Sequence, residues 1–403
     1  MIYQIPTLRP IDRDVIGLIN EQRQQLEYRV NRNPGRWTGF LRRNTFARAL
    51  QGSNSIEGIN ADLAEAVAIV DDERPETLQE ETVRALQGYR AAMTYVMRTF
   101  DDPFCEINAQ FIRSLHYIML NYDLTKLPGQ WRTGQVFVIR EETKEQVYEG
   151  SDSDDVPALI TELIEQISSN DRTESIVRAA LAHLNLTMIH PFKDGNGRMA
   201  RALQTCVLSR DRILSPVFCS IEEWLGRNTS AYYEVLAQVG QGHWNPDNDA
   251  RPWLRFCLVA HFQQAATLIK RNEEIGRVWD EVESLTKSTG LPERMQTALV
   301  DAAFGYRVRN NKHRQDHDLS EVVASRDLKR LCDMGFLTPV GEKRGRFYLA
   351  ADPIKALRQK SRDTSRAADP YLILQEKARA IVPVRTAVAT RGPARRIIGR
   401  PRR

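Results

Sequence analysis

Apolar residues recur at helical spacing through most of the chain. Ile176, Ala180, Leu184 and Met188 stand four apart, and so do Met199, Leu203 and Val207. Val83, Leu86, Tyr89 and Met93 make another stripe, as do Ile107, Phe111, Leu115 and the run Ile118 to Leu120, and then Leu159, Leu163 and Ile167. A period near 3.6 residues predicts helices whose apolar faces meet in a core. Asp152, Asp154 and Asp155 stand where the positive end of the helix carrying Leu159 favours acidic side chains.

Two stretches break this pattern. After Gly129-Gln130-Trp131-Arg132-Thr133-Gly134 come the β-branched run Val136-Phe137-Val138-Ile139, a charged turn from Arg140 to Gln146 and a short Val147-Tyr148. Together they predict a β-hairpin. Further on, helical segments around Pro292 to Phe304 and Ser320 to Met334 precede Gly335 to Val340, the turn Gly341 to Gly345, and Arg346 to Leu349. Helix, helix, strand, basic turn, strand is the order of a winged helix. The expected fold is therefore mainly α, with one hairpin in the helical core and a C-terminal winged-helix (α+β) domain.

Length and composition narrow this picture. The chain has 403 residues, enough for two or three domains, and 42% hydrophobic residues is ordinary for a soluble protein. No apolar run reaches the ~18 residues of a membrane span. The N-terminus lacks a basic start followed by an apolar stretch, so no secretory signal is expected. The five cysteines, at 105, 206, 219, 257 and 332, are scattered and without zinc spacing. They read as reduced core residues of a cytoplasmic protein. The net charge of +5 is mild. From Lys377 onward no acidic residue remains, and residues 353–403 read as a basic, flexible tail.

The chemistry concentrates between the helices predicted over Ile176–Ile189 and from Met199. There the chain reads His190-Pro191-Phe192-Lys193-Asp194-Gly195-Asn196-Gly197-Arg198, then Met199-Ala200-Arg201. Helix N-termini expose unpaired N–H groups that hold anions, and glycines let those groups approach closely. Arg198 and Arg201 share a helical face and can clamp several phosphate oxygens. Asp194 is a hard oxygen ligand suited to a phosphate-bound Mg²⁺. His190 has the chemistry of a general base near neutral pH. A calcium loop starting at Asp194 fails, because Arg198, Met199 and Thr205 stand where an oxygen ligand, a glycine and a glutamate are needed. A Walker A loop is absent. The string reads as a polyphosphate site beside a base, fit for phosphoryl or nucleotidyl transfer.

Residues 190–201 resemble the signature of the Fic family, His-Pro-Phe-x-Asp/Glu-Gly-Asn-Gly-Arg-x-x-Arg, with every fixed position filled. The resemblance implies transfer of a nucleoside monophosphate, usually AMP from ATP with Mg²⁺, onto a protein hydroxyl. It implies that His190 deprotonates the target hydroxyl and that Asp194 holds Mg²⁺. Gly195, Asn196 and Gly197 would cradle the phosphates, Arg198 would complete that anion hole, and Arg201 would hold the γ-phosphate. Relatives that act as kinases depart at the glycines of this turn; this chain keeps both.

The likeness spans roughly residues 40–270. Ser53-Asn54-Ser55-Ile56-Glu57-Gly58 resembles the family's inhibitory motif, Ser/Thr-x-x-x-Glu-Gly/Asn, and implies that Glu57, with Ser53, occupies Arg201. By residue chemistry alone, Asn54 with Glu57 three later is also close to a helix N-terminal capping box. The hairpin residues Val136, Phe137, Val138 and Ile139 resemble the family's target-docking flap, where a peptide adds a strand; a plain structural hairpin is the alternative. Tyr233 resembles a nucleoside contact, although a tyrosine at helical spacing also suits a core. In the wing module, Arg326, Lys329 and Arg330 with Lys343, Arg344 and Arg346 could meet DNA phosphates or a protein partner.

The expected domains are 1–100, a helical region with an inhibitory helix at about 45–60; 101–270, the catalytic core; 281–352, the winged helix; and 353–403, the tail. The expected activity is that of a protein adenylyltransferase with Mg²⁺ as cofactor and ATP and a target protein as partners, without a membrane. DNA and a homodimer stay open as partners. A DNA-binding regulator with a self-modifying or nucleotide-sensing site, and a de-AMPylase using Glu57, are the alternatives.

Overall fold

In the computed structural model, residues 1–139, 145–342, 345–363, 365 and 367–381 are described. The chain opens with α1 (Pro10–Glu27), a π turn, then α2 (Thr38–Ile56), α3 (Leu63–Val70), α4 (Glu80–Thr99) and α5 (Ala109–Leu120). The hairpin β1 (Phe137–Ile139) and β2 (Gln146–Glu149) follows, antiparallel, with Val138 opposite Tyr148 and a register shift after Val138. Next come α6 (Val156–Ser168), α7 (Ser175–Ile189), α8 (Asn196–Ser209), α9 (Pro216–Cys219), α10 (Glu222–Arg227) and α11 (Thr229–Gly240). The long α12 (Arg251–Ser288) leads to α13 (Met295–Ala303), α14 (Asn310–His317), α15 (Glu321–Asp333), β3 (Leu337–Val340) and β4 (Phe347–Ala350), then α16 (Asp352–Ser361) and α17 (Pro370–Ile381).

The predicted stripes are the core. Ile176, Ala180, Leu184, Met188, Met199, Leu203 and Val207 are all buried, as are Val83, Leu86, Tyr89 and Met93. Helices α7 and α8 pack along each other and carry the histidine–glycine–arginine string in the turn between them. Helix α2 crosses α10 so closely that a Cβ on Gly226 would lie 2.6 Å from Gly52 Cα. Only two glycines allow that approach.

The structure departs from the sequence reading in four places. First, α12 runs unbroken across the expected boundary at 270–281. The expected core ends near residue 270, where the family likeness stops, but Leu268, Ile275, Val278 and Val282 keep a buried stripe running through it. Second, residues 352–361 and 370–381 are helices rather than a flexible tail. Tyr371 is buried, donates to Asp12 at 2.9 Å and lies under the Arg255 guanidinium at 4.3 Å. The rest of the expected tail, 382–403, lies outside the described residues, as do Arg140 to 144 of the expected turn. Third, the C-terminal module has a further helix, α14, and Val308 bridges Tyr348 to add a third extended segment to the β3–β4 hairpin. Three helices followed by a wing complete the winged-helix pattern. Fourth, α2, the helix expected at about 45–60, starts earlier and ends at Ile56, so residues 57–60 lie beyond it.

Candidate active site

The turn between α7 and α8 is held from both sides. His190 caps α7 in the left-handed region, with φ 55° and ψ 57°, and donates its N–H to Leu186 O. A histidine adopts that conformation only where its surroundings hold it. Arg132 supplies the hold. Its guanidinium donates to the carbonyls of His190 (2.7 Å), Gly134 (2.8 Å), Ser151 (2.5 Å) and Ile189 (3.3 Å), placing a cation on the negative end of α7. Asn196 closes the turn from within: its amide donates to Phe192 O and its carbonyl accepts from Phe192 N–H, at 2.8 and 2.9 Å. His116 accepts from Gly129 N–H at Nδ1, so its Nε2–H donates to Asp194 O at 3.0 Å, and its ring stacks on Phe192. Burial pulls the His116 pKa down to about 4, which keeps this one tautomer neutral.

The reactive groups line the mouth of this turn. His190 Nδ1 donates to Thr187 O at 3.2 Å, which leaves the lone pair on Nε2. Desolvation lowers its pKa to about 4, with Arg132 adding to the effect, so the ring is neutral at pH 7 and its Nε2 lone pair is unprotonated. Gly195 has φ 76°, and a Cβ there would lie 2.7 Å from Leu120 Cδ1. Arg198 is 2% exposed, and its Nε and Nη1 have no hydrogen-bond partner among the described residues. Arg201 is 1% exposed, and its Nη1 is likewise unpaired. Buried polar groups are mostly hydrogen-bonded in proteins, so three unpaired guanidinium nitrogens gathered beside one glycine turn point to a place for an anion. Burial pushes the Asp194 carboxyl up, but Lys126 at 2.9 Å, Arg198 and the Gly195 N–H outweigh it and keep the group ionised.

Glu57 already sits in that place. Arg201 donates to Ser53 Oγ at 2.8 Å, to Ser53 O at 2.9 Å and to Glu57 Oε1 at 2.6 Å. The same Oε1 would be 2.5 Å from a Cβ on Gly197, so the carboxylate lies against the bare face of that glycine. The local sequence fixes this pose. Gly58 takes φ 74°, with Ile59 N–H on Asn54 O and Gly58 N–H on Ser55 O, the C-terminal stop of a helix. Asn54 lies in the last turn and bonds Leu50 O, which excludes the N-terminal capping-box alternative.

The Fic/DOC family model matches residues 106–208. This stretch, which holds the string from His190 to Arg201, is what the chain shares with the Fic/DOC family. It is 28% identical over 266 residues to the protein adenylyltransferase Fic of Nematostella vectensis, covering 62% of this chain and 55% of that protein. It is 25% identical over 265 residues to protein adenylyltransferase fic-1 of Caenorhabditis elegans, covering 65% of this chain and 47% of that protein. The chain thus spans about half the length of the curated relatives it matches. Among solved structures it shares its fold with a Fic family protein from Desulfovibrio desulfuricans G20, at TM-score 0.56 and 21% identity over 87% of this chain and 99% of that one. Fic-1 from C. elegans superposes with TM-score 0.52 at 23% identity, over 64% and 72% of the two chains.

Around the Fic turn, the hairpin stands beside His190. Tyr148 donates to Met188 O at 2.9 Å, in the last turn of α7. On its other side β2 is bonded to residues 242–244, so β1 is the outer edge, with Phe137 and Ile139 exposed and Val136 and Val138 half-buried. Tyr233 is 47% exposed and donates to Ile56 O at 3.0 Å, touching the end of α2. Its neighbour Tyr232 is the buried one, bonded to His183. On the wing module, Lys329 pairs with Asp333 at 2.7 Å and Arg330 donates to Gly290 O, while Arg326 and Arg346 are exposed; Lys343 and Arg344 lie outside the described residues. Sequence reasoning missed Arg132, Lys126 and the bracing role of His116. Arg132 alone had a visible signal, an arginine between two glycines just before the hairpin.

Proposed function

We propose that this chain is a protein adenylyltransferase that moves AMP from ATP to a Ser, Thr or Tyr hydroxyl of a target protein or of itself, and that Glu57 holds it inactive. The observation that carries the proposal is the coincidence, at one turn, of a neutral His190 with an available Nε2 lone pair, unpaired buried donors on Arg198 and Arg201, and a carboxylate resting where phosphate oxygens would lie.

In this reading ATP enters when Glu57 leaves Arg201. Arg201 then takes the γ-phosphate, and Arg198 with the N–H groups of the Gly195–Gly197 turn takes the other phosphates. A target segment adds as a strand to the free edge of β1, which brings its hydroxyl beside His190. The hydroxyl oxygen attacks the α-phosphorus, its proton passes to His190 Nε2, and the α–β bridging bond breaks to release pyrophosphate. The orphaned Arg198 and Arg201 donors and the open face of Gly197 fit a metal–nucleotide anion, and Asp194 is the hard ligand beside them. When bound, Mg²⁺ would supply charge neutralisation and orientation of the phosphates.

Purified wild type, Glu57→Gly and His190→Ala are incubated with ATP labelled at the α-phosphate. Protein-bound label that is strongest in Glu57→Gly and absent in His190→Ala supports the reading. No label in any of the three contradicts it.

A further inference from the structure

We infer that Lys126 is a built-in counter-ion of Asp194 that keeps a divalent cation off this carboxylate until ATP brings one, and so sets the metal requirement of the site. The inference rests on the adenylyltransferase reading above and names a positioning residue within it.

Both oxygens of Asp194 are engaged. Oδ1 accepts from Gly195 N–H at 2.5 Å and has Arg198 Nη2 at 3.9 Å; Oδ2 accepts from Lys126 Nζ at 2.9 Å. A cation seeking the less crowded oxygen therefore meets an ammonium group already there. Lys126 is no wandering surface side chain. Its residue closes the 3-10 turn Leu124–Lys126, which Asp123 caps by accepting from Thr125 N–H. Its ammonium also lies 5.5 Å from the Tyr122 ring centroid. The turn is fastened to the Fic loop a second time by Lys193, whose ammonium donates to Thr125 O at 2.9 Å. A third brace, His116, links Gly129 to Asp194 O.

Mg²⁺ gives up its water reluctantly and binds well only when carboxylate and phosphate oxygens act together. Among the described residues no group of three or more His, Cys, Asp or Glu side chains could hold a metal. Asp194 alone would recruit free Mg²⁺ weakly, and Lys126 weakens that further. A metal arriving with ATP brings phosphate oxygens, and these tip the competition. Lys126 thus couples metal entry to nucleotide entry.

The test uses the full chain in the Glu57→Gly background, where Arg201 is freed. Binding of a fluorescent ATP analogue is titrated with Mg²⁺, and Mn²⁺ binding without nucleotide is followed by electron paramagnetic resonance. Lys126→Met keeps the stem and removes the charge; it should lower the half-saturating Mg²⁺ roughly two- to fivefold, the scale of a partly exposed ion pair. It should also strengthen Mn²⁺ binding by a similar factor. Lys126→Arg should keep the parental requirement, and adding Asp194→Asn should erase the difference between lysine and methionine. An unchanged or higher Mg²⁺ midpoint in Lys126→Met, with ATP binding and AMP transfer intact, overturns this inference and leaves the adenylyltransferase reading standing. Failure of every variant to bind ATP removes that reading, and this inference with it.

Discussion

Replacing Glu57 by glycine should raise the rate of AMP transfer by about 10- to 150-fold. The carboxylate makes a charge-assisted hydrogen bond of 2.6 Å to a guanidinium that is 1% exposed, while its own side chain is 25% exposed. Bonds of this kind contribute about 1.5–3 kcal/mol. Each 1.36 kcal/mol is a factor of ten, so an enzyme that must break the bond before ATP can seat loses about one to two powers of ten. Glycine at 57 should cost little stability, because that position follows the last turn of α2 with φ −93° and ψ 15°. Glutamine keeps the shape and loses the charge, so Glu57→Gln should fall between the two. Initial rates of α-label incorporation, with ATP affinity measured alongside, check this. Equal rates for wild type and Glu57→Gly, or a higher rate without tighter productive ATP binding, would refute the reasoning.

Further outcomes follow from the same geometry. Because burial depresses the His190 pKa to about 4, the neutral base persists well below the ordinary imidazole range. In Glu57→Gly, kcat/KM should therefore stay level from pH 8 down to about 5 on account of this group; a half-maximal point near ~6.5, the unperturbed value, would contradict it. Gly197→Ala places a methyl where Glu57 Oε1 now lies and beside Arg201. It should weaken ATP binding by about tenfold or more even when Glu57 is absent, as measured by titration, since the lost contact is a charge-assisted one. Arg132→Met leaves the four carbonyls around the end of α7 without their donor. It should destabilise the fold by about 3 kcal/mol in denaturant titration and slow transfer by roughly 10- to 100-fold, with ATP affinity little changed.

Much of the candidate site was legible because its chemistry is contiguous. His190, Asp194, Gly195, Gly197, Arg198 and Arg201 fall within one turn and the first turns of one helix, so spacing alone predicts which side chains can converge. The Glu57 contact was legible only through the resemblance of Ser53 to Gly58 to the inhibitory motif; residue chemistry alone left a capping box open, and the left-handed Gly58 that ends α2 shows itself only in the structure. Bracing residues were not legible, because their partners are remote in sequence. Arg132 reaches across 58 residues and His116 across 78, and nothing local announces either bond. The fold shows the same division. Stripes predicted the helices of the core, whereas α12 was cut short near residue 270 because the family likeness ends there, although its buried stripe continues through Ile275, Val278 and Val282. Helix α17 was lost in a basic composition, although Tyr371 docks against Asp12.

The central claim is AMP transfer at His190 under restraint by Glu57. Its most direct test compares ATP labelled at the α-phosphate with ATP labelled at the γ-phosphate on wild type, Glu57→Gly and His190→Ala, with label read on the chain itself and on lysate proteins. The account predicts label from the α-position only, strongest in Glu57→Gly and absent in His190→Ala. Label from the γ-position, or label that survives loss of His190, would contradict it.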